Sequence, residues 1–395
     1  MKRLFLLLSC IACGLTANSQ SSTFALGADV SWCTEMESTG KYFYNANGQK
    51  TEIMALMKQI GMNAIRLRVW VNPDDTYGPW SNKADVLAKA RRAHEQGLDL
   101  MIDFHYSDFF ADPGRQNKPA AWASYNMTQL KQAVTDHTKD ILQALKDEGI
   151  EPLWVQVGNE TRVGMLWNSG KIDWKSSTPW AGYVALSNAG YDAVKNVLPN
   201  AKVIVHIDRG PENNNWFFRQ FKEAGGKFDM IGLSHYPAKD AYAANNSATA
   251  NNIKLLGNEF GVPVMVVETG FFIEDENLAE TVMTDFFSKT QNLTQCVGIF
   301  YWEPEVYNWW KPAYYTTLGW NNAYDRGAFK SNGRPAKTLN PFTKAAAAGI
   351  GAPSDNGTTS ANITYYNLQG QPLPAPSHGI VIEREGEKTR KVVRN

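Results

Sequence analysis

Ala64-Ile-Arg-Leu-Arg-Val-Trp70, an amphipathic run from Lys83 to Gln96, and Asp99-Leu-Met-Ile-Asp-Phe-His-Tyr106 read in order as strand, helix, strand. Short apolar strands that alternate with helices imply a parallel sheet, because parallel neighbours need a crossover and the usual crossover is a helix. The unit repeats in both directions. Strands are expected at Phe24–Trp32, Ala64–Trp70, Asp99–Tyr106, Pro152–Glu160, Lys202–Asp208, Met230–Pro237, Pro263–Gly270 and Val297–Pro304. Helices are expected at Lys83–Gln96, Thr128–Glu148, Pro179–Val197 and Glu276–Gln291, and a last one, Ala336–Ala348, completes the series. In the second of these, Leu130, Val134, Ile141 and Leu145 fall near one face. Eight strands in strict alternation predict an α/β fold, a (β/α)8 TIM barrel. An open, doubly wound sheet would want a glycine-rich phosphate-cradling turn after the first strand, and Val30-Ser-Trp-Cys-Thr is no such turn.

The composition is that of a soluble globular chain, 43% hydrophobic and 20% charged. A formal net charge of +0 supplies no field for nucleic acid or an anionic membrane surface, so neither is expected as a partner. Aromatic residues are abundant: 13 Trp, 16 Tyr and 18 Phe. Such rings build cores, and they also suit the apolar faces of sugars. Residues 1–19 read as a signal peptide, with Lys2 and Arg3 ahead of an apolar stretch too short to span a bilayer, and Ala17 and Ser19 before the cut. The protein is therefore expected to be exported: secreted, periplasmic or at the cell surface. Leu7-Leu8-Ser9-Cys10 also fits a lipobox, which would leave a lipid-anchored product. Cys33 and Cys296 then remain, at opposite mouths of the barrel, and are expected to be plain thiols.

In such a barrel, reactive side chains collect at the C-terminal ends of strands. Those ends carry Asp29, Arg66 and Arg68, His105, Asn159 and Glu160, Asp208, His235 and Tyr236, Glu268, and Trp302 and Glu303. Glu160 ends Trp154-Val-Gln-Val-Gly-Asn-Glu, and Glu268 ends Val264-Met-Val-Val-Glu. A carboxylate ending an apolar strand is costly unless it is paired or used. Strands four and seven face each other across an eight-stranded ring, so the two carboxyls are expected to converge on one bond. That is the requirement of a retaining glycosidase, one group giving a proton while the other attacks. Arg66 can keep a carboxylate charged, as nucleophile partner or as a structural ion pair; Asn159 would donate to a sugar hydroxyl, and Tyr236 would orient Glu268.

The residues now resemble a known family, the endo-β-1,4-galactanases of glycoside hydrolase family 53. The stretches that carry the resemblance are Gly27-Ala-Asp-Val-Ser, Leu67-Arg-Val-Trp, Asp103-Phe-His-Tyr-Ser-Asp, Ala111-Asp-Pro, Pro119-Ala-Ala-Trp, Val155-Gln-Val-Gly-Asn-Glu, Asp229-Met-Ile-Gly-Leu-Ser, Val266-Val-Glu-Thr-Gly and Tyr301-Trp-Glu-Pro. They span roughly Gly27 to Thr338, nearly the whole barrel. The resemblance implies Glu160 as acid/base and Glu268 as nucleophile, with Arg66, His105, Asn159 and Tyr236 around the bond-cleaving subsite and Trp302 as the platform under its sugar. It implies endo-acting hydrolysis of β-1,4-galactan, the side chains of pectin. Separately, a monomer without a cofactor is expected, with the polysaccharide as its partner. Another retaining β-1,4-glycanase of the same superfamily, a mannanase or glucanase, and a barrel that binds glycans without cutting them stay open as alternatives.

Two departures from the family lie near the expected cleft. Ser234-His235-Tyr236-Pro237 stands where two tyrosines are usual, and Phe110 stands where Trp is common. Some bacterial members bind calcium through longer loops after strands seven and eight; the strand-seven connection here, Phe271–Asn277, is short, and its acidic run Glu274-Asp275-Glu276 fits a helix N-terminus, so no residue is assigned to a metal and calcium stays open without support from the sequence. After strand eight, Tyr307, Trp309, Trp310, Tyr314, Tyr315 and Trp320 crowd a loop beside the barrel mouth. Rings lining an open groove would favour cutting mid-chain; the alternative is that they pack inward and anchor the loop. Residues 20–348 form the catalytic barrel in this reading, and 349–364 a Gly/Ser/Asn/Thr linker. Residues 365–395 form a short C-terminal β-rich tail of two or three strands, similar to the sorting tails of exported proteins in some Gram-negative bacteria.

Overall fold

The structure, a computed structural model, describes residues 24–73, 78–317 and 324–351, together with tail segments 364–366, 372–373, 379–385 and 388–394. The expected signal peptide with Cys10, most of the linker, and Trp320 lie outside the described residues. Eight parallel strands close into a barrel in which every strand hydrogen-bonds to its neighbours in chain order and the last returns to the first. They are β1 (Ala25–Asp29), β2 (Ala64–Val69), β3 (Asp99–Phe104), β4 (Trp154–Val157), β5 (Lys202–Ile207), β6 (Met230–His235), β7 (Val264–Thr269) and β8 (Cys296–Trp302). Around them run α1 (Cys33–Ser38), α2 (Ile53–Ile60), α3 (Lys83–Glu95), α4 (Met127–Asp147), α5 (Ala181–Val197), α6 (Asn215–Glu223), α7 (Tyr242–Phe260), α8 (Glu276–Thr290), α9 (Ala313–Thr317) and α10 (Asn340–Ala347).

The expected strands exist, and most are shorter at their C-terminal ends than the apolar runs suggested. The reason is local. The chain leaves the ladder in sharp turns, with positive φ at Tyr106, Glu160 and Glu303 and at Gly158. The expected last helix likewise begins as a single turn of 3-10 helix, Lys337–Leu339, before α10.

Both faces of the strands are buried, which is why they read as apolar runs. The outward residues of β2, Ile65, Leu67 and Val69, join the cluster shared with the helices. Ala25, Ala64, Met101, Trp154, Ile204, Met230, Met265 and Phe300 form a separate cluster, which plugs the barrel interior. Successive side chains alternate across a strand. The next inward side chains above that plug are therefore Arg66, Asp103, Gln156, His206 and, beyond Gly232, Ser234, and the polar residues that interrupt the apolar runs share one buried layer.

Helix ends are fixed locally. At α4 the Asn126 side chain accepts from the Gln129 N–H, and the Gln129 side chain reaches back to the Asn126 N–H. Leu130, Val134, Ile141, Leu142 and Leu145 make its buried face. Cys33 and Cys296 are buried free thiols. The tail forms four short strands, one or two more than expected: β9 (Thr364–Tyr366), β10 (Pro372–Leu373), β11 (Gly379–Glu385) and β12 (Lys388–Arg394), antiparallel in the order β10-β9-β11-β12. No helix among the described residues is long and apolar enough to cross a membrane.

Gly27 shows how tightly the plug is filled. A Cβ on it would lie 2.3 Å from two atoms of the Phe300 ring. Gly27→Ala should therefore lower the unfolding free energy by about 1–3 kcal/mol through overpacking. An unchanged denaturation midpoint in urea would show that the ring can move aside.

Candidate active site

Arg66 lies at the centre of the polar layer. It is fully buried, and its guanidinium meets Asp29 at 2.6 Å, Asp103 at 2.8 Å and Glu268 at 2.9 Å. It also donates to the Gln156 carbonyl oxygen from Nε at 3.3 Å and from Nη2 at 3.1 Å, and to Asn159 Oδ1 at 3.0 Å. Four strands thus converge on one cation, which ion-pairs with Asp29, Asp103 and Glu268 together. Burial would raise the Asp103 pKa, but the charge of Arg66 and the hydrogen bond from His105 outweigh it and hold that carboxyl below its usual range.

Glu268 rests on β7 with Oε1 against Arg66, and Oε2 accepts from the Tyr236 hydroxyl at 3.1 Å. Burial raises its pKa and Arg66 opposes that rise, but Asp103 and Asp29 draw on the same guanidinium. Glu160 stands on the turn after β4. Gly158 adopts φ +82 there and Glu160 itself φ +47, a left-handed conformation that costs a residue with a side chain roughly 1–2 kcal/mol. The turn folds the carboxyl back towards the mouth. No ion pair to Glu160 occurs among the described residues; its Oε1 accepts from the Ser234 hydroxyl at 2.7 Å. Burial, then the charge of Glu268, hold its pKa well above the usual carboxylate range. Of the two carboxyls, Glu268 ionises first, because Arg66 and Tyr236 favour its charge.

Both line one cleft of about 470 Å³, together with His105, Phe110, Ala111, Asp112, Asn159, Tyr236, Trp302, Tyr315, Tyr324 and Arg326. Six of the seven expected site residues therefore meet there, and Arg66 lies beneath them. His105 is locked on both sides. Its Nδ1 accepts from the Ala111 N–H at 2.9 Å, so Nε2 carries the hydrogen that faces Asp103 at 2.9 Å. Burial lowers its pKa and leaves it neutral. Asn159 donates from Nδ2 to the Ala111 carbonyl at 2.8 Å, which leaves one amide hydrogen for a ligand. Trp302 packs beside Trp32 and Tyr324, and the Tyr324 hydroxyl donates to its carbonyl at 2.8 Å.

Three expectations need correction. His235 does not reach the cleft: it is fully buried, and its ring nitrogens meet Asn246 and Thr249 of α7, because alternation turns it out of the barrel. The aromatic loop mostly packs inward. Tyr307, Trp310 and Tyr314 are buried, Trp309 is exposed, and of the described tyrosines and tryptophans after β8 only Tyr315 and Tyr324 line the cleft. Trp32 is the anchor, with Phe110, Trp302, Trp310, Tyr315 and Tyr324 around its indole. Asp208 pairs with Arg162 at 2.7 Å and is not among the residues lining the cleft. The acidic run before α8 is engaged within the fold. Asp275 caps the helix, Glu274 faces Lys239 at 3.7 Å, and Glu276 faces Lys330 at 3.3 Å. No cluster of three or more potential metal ligands occurs among the described residues.

Gln156, His206 and Ser234 were not anticipated from the sequence. Their signal was present, as polar residues at alternate positions inside apolar strands. What the layer can do chemically follows from its asymmetry: one carboxyl tied to a cation that favours its charge, another inclined to keep a proton, in a single aromatic cleft. Replacing Arg66 by Met should leave Asp29, Asp103 and Glu268 facing one another without a cation. A loss of about 3–5 kcal/mol in unfolding free energy at neutral pH is expected, measurable by denaturant titration. A loss under 1 kcal/mol would mean the carboxyls are held some other way.

Residues 25–342 match the sequence profile of Glycosyl hydrolase family 53. An arabinogalactan endo-beta-1,4-galactanase of Cellvibrio japonicus is 32% identical over 371 residues, covering 85% of this chain and 96% of its own. An endo-beta-1,4-galactanase of Bacillus subtilis is 31% identical over 311 residues, covering 71% of this chain and 70% of its own. A solved fungal beta-1,4-galactanase superposes with a TM-score of 0.71 at 28% identity, over 82% of this chain and all of that one. The chain belongs to glycosyl hydrolase family 53.

Proposed function

We propose that this protein is an arabinogalactan endo-β-1,4-galactanase, cutting β-1,4-galactan within the chain and retaining the anomeric configuration by double displacement. Glu268 is the nucleophile and Glu160 the acid/base. The observation that carries this reading is the unequal treatment of two carboxyls that line one cleft: Arg66 and Tyr236 hold Glu268, while burial and the charge of Glu268 keep the proton on Glu160.

In the first step Glu160 gives its proton to the glycosidic oxygen as that bond breaks, and a Glu268 oxygen bonds to the anomeric carbon. The leaving chain departs with a new hydroxyl. Glu268 is now an ester without charge, so one cause that raised the Glu160 pKa is gone, and Glu160 stays ionised as a base. It takes a proton from water, the water oxygen attacks the anomeric carbon from the face that the leaving group vacated, and Glu268 departs as a carboxylate. Two inversions give net retention.

Trp302 supports the sugar at the reacting bond, and the second Asn159 amide hydrogen is placed for its 2-hydroxyl. Arg66, from beneath, and His105, in the cleft wall, hold Glu268 and Asp103 in place. Residues 1–19 direct export, which suits a polymeric substrate too large to enter a cell. Residues 20–348 are the catalytic barrel, and the β-rich tail is appended through the linker.

Glu268→Ala should fold normally and lose about 10⁴-fold or more in kcat on galactan. Added azide should restore turnover on an activated aryl β-galactoside and give the inverted glycosyl azide. Glu160→Ala should lose far more on galactan than on aryl galactosides, whose leaving groups need no proton. Wild-type rates on galactan in either variant would refute the assignment.

A further inference from the structure

Two buried residues that do not line the cleft reach Glu160 from below. Ser234, on the inward face of β6, donates its hydroxyl to Glu160 Oε1 at 2.7 Å. The Ser234 hydroxyl oxygen itself lies 2.8 Å from Nε2 of His206 on β5. The other side of that ring meets the peptide that carries the carboxyl: Nδ1 is 3.3 Å from the Glu160 backbone N–H and 3.0 Å from Asn159 Oδ1. The His206 carbonyl also accepts from the Thr161 N–H at 2.9 Å and from its hydroxyl at 3.1 Å. β5 thus holds the catalytic turn by backbone and ring together.

Burial, and then the charge of Arg66, push the His206 pKa well below its usual value, so the ring is neutral and carries one N–H. The neighbours decide which nitrogen has it. Asn159 Oδ1 already accepts from Arg66 and from Gln156, each at 3.0 Å, which fills its two lone pairs. The Glu160 N–H has Nδ1 as its hydrogen-bond acceptor, and a buried N–H left without one is costly. Nδ1 therefore accepts and Nε2 carries the hydrogen. That hydrogen points at Ser234, whose own hydrogen is then directed to Glu160.

We infer that His206 and Ser234 are positioning residues for the acid/base: the His206 Nε2–H orients the Ser234 hydroxyl onto Glu160 Oε1, so that the transferable proton is carried on Oε2. Oε1 always receives a donor and has no need of a proton of its own. Oε2 has no protein partner among the described residues and is the oxygen left for the glycosidic bond. A donor fixed on Oε1 also favours the carboxylate and offsets part of the rise caused by burial and Glu268. The inference rests on Glu160 being the acid/base.

The test is the pH dependence of kcat/KM on galactan, whose alkaline limb reports deprotonation of the acid/base in the free enzyme. The other charged or titratable groups around Glu160 are Glu268, Asp208, Asp112 and Tyr236, and those around His206 are Arg66, Asp103 and His105. None is altered in the variants. Ser234→Ala should move the alkaline limb up by about one pH unit, the loss of a hydrogen bond to a charged group. Ser234→Thr should restore it. His206→Phe should shift the limb in the same direction, and His206→Gln, whose amide can reach Ser234, should keep it near wild type. In the Ser234→Ala background, His206→Phe should move the limb no further, because the histidine acts through the serine. An unmoved limb in folded Ser234→Ala, or a second shift in the double variant, overturns the inference. Glu160→Ala, assayed alongside, separates the two failures: wild-type turnover there removes the acid/base assignment itself, whereas its loss with an unmoved limb in Ser234→Ala removes only the positioning role.

Discussion

One buried guanidinium organises this barrel. Arg66 balances Asp29, Asp103 and Glu268, carboxylates from three other strands, and no other arginine or lysine among the described residues pairs with them. Transferring a single charge to a protein interior costs several kcal/mol, so the arrangement persists only because each partner is met at hydrogen-bond distance. The layer above the apolar plug has little freedom as a result. Gln156 bridges Asp103 and Arg66, His105 is set by Asp103 and the Ala111 peptide, and Asn159 is set by Arg66 and the Ala111 carbonyl. The cleft is built on a rigid polar floor before any ligand enters.

That floor also creates the difference between the two carboxyls. Three carboxylates share one cation, so Glu268 has no surplus of positive charge, yet it has more than Glu160, which has a hydroxyl only. The difference is one of neighbours, since both groups are glutamates at the mouth of the same barrel. A strained backbone turn supplies the remaining geometry, with Glu160 held at positive φ by hydrogen bonds from Thr161 to β5 and by the His206 ring.

Much of this was legible in the sequence, for definable reasons. Parallel barrel strands are buried on both faces and read as apolar runs, so all eight could be placed. Polar residues within those runs had to be paired or used, which singled out Arg66, Glu160 and Glu268. What stayed hidden depends on distance along the chain. Alternation puts His206 and Ser234 on inward faces, but their meeting with Glu160 joins three strands, and no local pattern announces it. The aromatic loop misled for a similar reason. Its rings suggested a lining for the groove, whereas most of them pack inward, several around Trp32, a residue at the far end of the barrel sequence. His235 followed the same logic in reverse: it sits beside the cleft in sequence and points away from it in space.

The central claim is that the two carboxyls act by double displacement on one β-galactosidic bond. Proton NMR of the reducing ends released in the first moments of galactan hydrolysis, before mutarotation, reads this directly. The account requires the β-anomer to appear first and the α-anomer to grow in later. Initial release of the α-anomer would mean that water attacks the glycosidic carbon directly, and Glu268 would not be a nucleophile.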